Sequence, residues 1–163
     1  MASSKWTLAL QALETSLHST YSEVTQVQRA TQADALNFLD QIKNGLVTVP
    51  YVLLVAGATE QAEKGSDVSY DLKGVVNVYY IRAYGLTSAE QATWTRIEDW
   101  AADKAANMNA LVYAWSTVAN GPFWVGEPHS DISTDNQANQ FLFDKQLPYY
   151  AMCVQAEFEV NAG

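Results

Sequence analysis

Apolar residues recur at helical spacing from the start of the chain. Trp6, Leu10, Leu13 and Leu17 form one stripe over about 4–20, with Lys5, Gln11 and Glu14 largely outside it, which predicts an amphipathic helix. A short extended piece is expected over 24–28. A second helix is expected over 34–44, with Ala35, Leu39 and Ile42 on one face. Gly45 is a natural stop for it, because glycine tolerates positive φ. After Pro50 the pattern changes to the run Tyr51-Val52-Leu53-Leu54-Val55-Ala56, which reads as a strand buried on both faces. Positions 57–74 are polar, with three glycines and four acids, and read as a long exposed loop or arm. The β-branched and aromatic stretch 75–82 predicts the returning strand of a hairpin.

Thr87-Ser88-Ala89-Glu90 fits a capping box, in which the threonine hydroxyl and the glutamate carboxylate each take an orphan backbone amide. The helix it opens is expected to reach about Asn107. Its buried stripe is Trp94, Ile97, Ala101, Ala105 and Met108, with Trp100 beside it. Strand character is expected to resume over 111–117, followed by a loop over 120–139 punctuated by Gly121-Pro122, Gly126 and Pro128. The end of the chain alternates strongly. Tyr150, Met152, Val154, Ala156, Phe158 and Val160 fall on one face and Gln155, Glu157 and Glu159 on the other, the signature of a strand with one side on a core and one toward water. This element order predicts one α+β domain over 1–163: a mainly antiparallel sheet with a β-hairpin arm, packed against two or three helices.

Charge narrows the function classes. Charged residues are 17% of the chain, below the usual share of about 25%. A surface poor in charge has less desolvation to overcome when it is buried against a partner. Eighteen acids against nine bases give a net charge of −9, and Arg29, Lys64, Lys73 and Arg96 stand as isolated cations. The basic footprint of a nucleic-acid or anionic-membrane binder is missing, whereas an acidic surface suits a wall past which DNA slides without sticking. The single cysteine, Cys153, cannot form an intramolecular disulfide and sits in an apolar strand context as an inert thiol. No run approaches the roughly 20 apolar residues of a membrane span, and the N-terminus lacks a secretory apolar run, so synthesis and folding in a cytoplasm are expected.

Catalytic and metal constellations are sparse. Glu127, His129 and Asp131 alternate in one loop and would be the acid/base group of a hydrolase. Their bland reading is a solvated turn-rich loop. His18 reads as a surface or interface residue. Three His and Cys side chains in all are too few for an ordinary transition-metal site, and Asp131, Asp135 and Asn136 lack the spacing of a calcium loop. No phosphate-binding loop, nucleophile elbow or dinucleotide fingerprint is present. The expectation is therefore a protein without a cofactor that is not an enzyme. Trp115 and Phe123 read as core. Trp124, in a Gly/Pro-flanked loop, is the aromatic suited to anchor an interface or stack on a sugar.

The order of these pieces resembles the tail-terminator proteins of long-tailed phages, of the Mu and lambda kind. The resemblance begins at Asp34-Ala35-Leu36-Asn37-Phe38-Leu39 and continues through the proline-led strand Val49-Pro50-Tyr51-Val52-Leu53-Leu54-Val55. The turn and arm at Gly57-Ala58-Thr59-Glu60 follow, then the strand Val75-Val76-Asn77-Val78-Tyr79-Tyr80, a long helix, and Val154-Gln155-Ala156-Glu157-Phe158-Glu159-Val160. It rests on element order and size, and 120–148 has no counterpart in it. The resemblance implies a virion protein forming a ring, usually sixfold, at the head-proximal end of the tail tube. There it would end tube polymerisation and meet the head connector, with copies of itself, the tube protein and the connector or stopper as partners. Interface candidates are Glu60, Glu63, Lys64, Asp67, Asp71 and Lys73 on the arm, with Trp124, Glu127, Asp131 and Asp135 in the later loop. The arm acids are placed to pair with a neighbour or line a DNA channel, and deletion of 66–73 is expected to give a folded monomer that does not assemble. Another neck or head–tail connector subunit is the nearest alternative. A carbohydrate-binding module using Trp124 and the 126–136 loop, and the hydrolase above, are the rivals from other classes.

Overall fold

The computed structural model describes residues 5–30, 41, 44–45, 48–61, 71–117, 123–124, 129–131 and 149–161. Among the described residues two long helices, α1 (Lys5–Thr20) and α2 (Ile97–Thr117), lie against a mixed, mostly antiparallel sheet, so the α+β expectation stands. The strands are β1 (Val27–Ala30), β2 (Tyr51–Gln61), β3 (Asp71–Ala83), β4 (Phe123–Trp124), β5 (His129–Asp131) and β6 (Tyr149–Asn161). Their order is β1-β2-β3-β6-β4, with β5 also on β6. Because β3 pairs along the whole of β6, both short strands must occupy the opposite side of β6. Among the described residues the one parallel pair is β1 with β2, where Val27 to Ala30 face Val52 to Val55 in register.

The alternation of β6 appears as expected: Tyr150, Met152, Val154, Ala156, Phe158 and Val160 are all buried under the helices. Leu10, Leu13 and Leu17 of α1 and Ile97, Trp100, Ala101, Ala105, Met108, Val112 and Trp115 of α2 meet them in one core. Phe158 is its pivot. Trp6 stacks on it with ring centroids 4.6 Å apart, and Trp115 meets it edge-on at 5.3 Å. Burying one such aromatic contributes up to about 3 kcal/mol. The Trp115 indole N–H donates to the Ala9 carbonyl (2.8 Å), and the Tyr21 hydroxyl just past α1 donates to Asn107 Oδ1 (2.7 Å). The end of α1 thus meets the middle of α2 and its start meets the end of α2, so the two helices run antiparallel.

The sheet's other face is not uniform. Tyr51, Leu53, Val55, Ile81, Ala151 and Cys153 are buried there as well, which explains the unbroken apolar run of β2. Further along the strands that face turns polar, with Gln155 Nε2 donating to Asn77 Oδ1 at 2.8 Å and Glu157 exposed. β6 is therefore two-sided and apolar at its start and amphipathic only toward its end.

Several expectations are corrected. Positions 111–117 continue α2 and are not a strand: Met108, Val112 and Trp115 prolong the three- and four-residue spacing of Ile97, Ala101 and Ala105, and this packing overrides the β preference of Val, Tyr and Trp. The capping box forms, with Thr87 N–H to Glu90 Oε1 at 2.9 Å and Glu90 N–H to Thr87 Oγ1 at 3.2 Å, but it closes only the 3-10 turn Glu90–Ala92. The long helix starts anew at Ile97, where the Asp99 carboxylate accepts the Arg96 N–H (3.1 Å), and Trp94 precedes it. Much of the exposed loop foreseen over 57–74 is ladder, because β2 runs to Gln61 and β3 starts at Asp71, with a bulge between Ala58 and Glu60. Asp71–Lys73 pairs with β6, so deleting 66–73 would cut the sheet itself. The loop foreseen over 120–139 holds β4 and β5. The extended piece falls at Val27–Ala30. The helix foreseen over 34–44 lies outside the described residues except for Gln41, which is helical, and Asn44, which is in a turn. Gly45 has the positive φ expected of it, 71°.

Candidate functional site

Register divides the interface candidates. Glu60 of β2 faces Lys73 of β3, which faces Glu159 of β6, and Glu159 in turn faces Phe123 of β4. By backbone register alone, one rung across the arm reads acid, base, acid. Trp124 belongs to the neighbouring rung, opposite Phe158, so it is part of the ladder and not of a free loop. Asp131 is opposite Cys153 and His129 opposite Gln155. Asp131 is thus six β6 positions from the charged rung, about 20 Å at strand rise. Glu63, Lys64, Asp67, Glu127 and Asp135 lie outside the described residues.

The second constellation was not visible in the sequence. Where β3 ends and α2 begins, Glu23, Val49, Pro50, Tyr80, Arg82, Ala83, Thr87, Glu90, Trp94, Trp100 and Lys104 enclose a cleft of about 330 Å³. Arg82 is its keystone. Its side chain is buried over the Trp100 ring, 4.6 Å to the centroid, and forks onto Glu90 with bonds of 2.5 and 2.8 Å. Its remaining N–H groups reach the Ala83 and Gly85 carbonyls at 2.7 and 3.1 Å. The Arg82 bonds, helped by Thr87, hold the Glu90 carboxyl down to about 2. That fork fixes the 3-10 turn as one wall.

Opposite it, Glu23 Oε1 accepts from the Tyr80 hydroxyl (2.8 Å) and from Lys104 Nζ (3.4 Å). Burial opposes ionisation of Glu23, but its own backbone amide, Tyr80 and Lys104 outweigh it and keep the carboxyl below the ordinary range. Burial, then Glu23, pushes Tyr21 up to about 12, and the same two causes in the same order push Tyr80 up further. Lys104 lies 5.2 Å from the Tyr21 centroid and 5.8 Å from that of Tyr80. On the outer wall the Trp94 indole N–H donates to Asp103 Oδ2 at 2.6 Å. The arrangement is built to hold cations between aromatic rings and carboxylates.

Among the described residues no group of His, Cys, Asp and Glu is placed to hold a metal ion, and no helix is long and apolar enough to cross a membrane. In comparisons with known proteins, no family matches the chain and no curated relative does.

Proposed function

We propose that the chain is a structural virion subunit of a long-tailed phage that assembles head-to-tail into a ring, in the role of a tail terminator. The observation that carries this reading is the overhang of the β2–β3 hairpin. β1 covers only Val52 to Val55, and β2 continues to Gln61; among the described residues nothing pairs the outer side of 56–61. An open strand edge is a template for another chain. The far side of β6 is the sheet's other edge and, among the described residues, carries only the short β4 and β5. Two unlike edges on opposite sides of one sheet suit heterologous contacts, the kind that close a ring when the rotation allows. The net charge of −9 suits a wall past which DNA slides without sticking. A neck or connector subunit would use the same features, and position in the particle separates the two.

The test starts with Ala58→Pro. The Val52 N–H bonds the Gln26 carbonyl on the β1 side, so by two-residue alternation the Ala58 N–H points to the same outer edge, and proline there removes an edge amide while sparing the hydrogen bonds to β3. Sedimentation is expected to show a closed oligomer for the parent and a folded monomer for the variant. A parent that stays monomeric at all concentrations overturns the reading. Antibody label at the head–tail junction, with overlong headless tails when the chain is deleted, assigns the terminator role. The same label with tails of normal length assigns a connector.

A further inference from the structure

The cleft repeats one motif three times, and the third copy lacks a member. Arg82 sits over Trp100 and is countered by Glu90; Lys104 sits against Tyr21 and Tyr80 and is countered by Glu23. Trp94 lines the same cavity, and its indole N–H is bound to the Asp103 carboxylate, which leaves the ring richer in electrons. Among the described residues no cation is seated over it.

The accessible charge agrees. Arg82 and Glu90 neutralise each other and are mostly buried, at 10% and 23% side-chain exposure, whereas Glu23 is 45% exposed and Lys104 26%. The charges lining the cleft balance, and exposed Asp103, bound to the Trp94 indole, adds one negative charge beside it. Val49, Pro50, Ala83 and Trp100 supply an apolar floor. About 330 Å³ is at the small end of the ligand-site range of roughly 300–1,000 Å³, enough for a headgroup and a short alkyl stem.

We propose that this cleft binds an organic cation, an alkylguanidinium or alkylammonium, whose headgroup stacks on Trp94 with Asp103 and Glu23 as counter-charges. The site is independent of ring assembly and of the hairpin edge. Guanidinium is the better fit of the two cations, because it is planar and more weakly hydrated than ammonium and stacks on indole at lower desolvation cost.

Ethylguanidinium, ethylammonium and neutral ethylurea are titrated into the full chain, with the indole N–H signals of Trp94 and Trp100 followed by NMR. Saturable shifts are expected for the two cations, ethylguanidinium the tighter, and none for ethylurea. Trp94→Leu, read on Trp100, is expected to weaken binding about tenfold, in line with a desolvated cation–π contact. Glu23→Gln replaces a half-exposed carboxylate and is expected to weaken it severalfold while the chain stays folded, so the test survives if Trp94→Leu does not fold. End-blocked Gly-Arg-Gly distinguishes the source. Its exclusion assigns a free small molecule, and its saturation assigns an arginine side chain of a partner. Equal response to ethylurea, no saturable response to either cation, or unchanged affinity in Glu23→Gln overturns the proposal.

Discussion

Arg82 and Glu90 are eight positions apart and joined by two hydrogen bonds, of 2.5 and 2.8 Å, with the guanidinium pressed against Trp100. The pair ties the end of β3 to the turn that closes the cleft. Removing one partner strands the other in a site where its hydrogen bonds cannot all be replaced by water. Glu90→Gln is expected to cost about 2 kcal/mol, the range of a hydrogen bond to a charged group, with Arg82→Met costing a similar amount. Urea unfolding of each variant checks this, and a loss below a few tenths of a kcal/mol would show that the fork is ornamental to stability.

The same carboxylate gives an acid limb to stability. Glu90 is held down to about 2 in the folded chain against an ordinary value of 4.5. Between those values the unfolded chain binds more protons than the folded one, so stability is full above about pH 4.5 and falls as pH drops toward 2. Glu23, also lowered, acts in the same direction. The slope of unfolding free energy against pH in this window is expected to be shallower in Glu90→Gln than in the parent.

Tyrosines set the alkaline limb. Tyr21 is raised to about 12 and Tyr80 beyond it, so both stay neutral in the folded chain at pH values where an unfolded tyrosine, near 10, has lost its proton. Their stabilising effect is complete below pH 10 and is lost as pH rises through 12. Both are expected to ionise only as the chain unfolds, seen as a late step in the 295 nm absorbance. Tyr21→Phe and Tyr80→Phe should each shrink that step.

Phe158 joins α1, α2 and β6 through its contacts with Trp6 and Trp115. It is fully buried, and Phe158→Ala is expected to cost about 3–5 kcal/mol through lost transfer energy and the cavity left behind. Thr87→Ala, which removes half of an exposed capping box, is expected to cost about 1 kcal/mol. Thermal unfolding of the two side by side orders them, and equal losses would mean that the core collapses around the missing ring.

Elements whose signal is local were legible in the residues alone. The stripe of Leu10, Leu13 and Leu17 marks α1, the run from Tyr51 to Val55 marks a strand covered on both faces, and alternation through Val160 marks β6, because a buried helix face and a buried sheet face each impose their own period. The Thr87–Glu90 reciprocal cap is legible for the same reason, since its partners are three positions apart. How far each element runs was set by pairing and packing between distant segments. Positions 57–61, 71–74 and β4 became ladder through pairing with distant strands, and α2 kept going to Thr117 because Trp115 found the Ala9 carbonyl and Phe158 across the core. The cleft was hidden altogether. Glu23 meets Tyr80 across 57 positions and Lys104 across 81, and no periodicity encodes contacts that exist only once the chain has closed on itself.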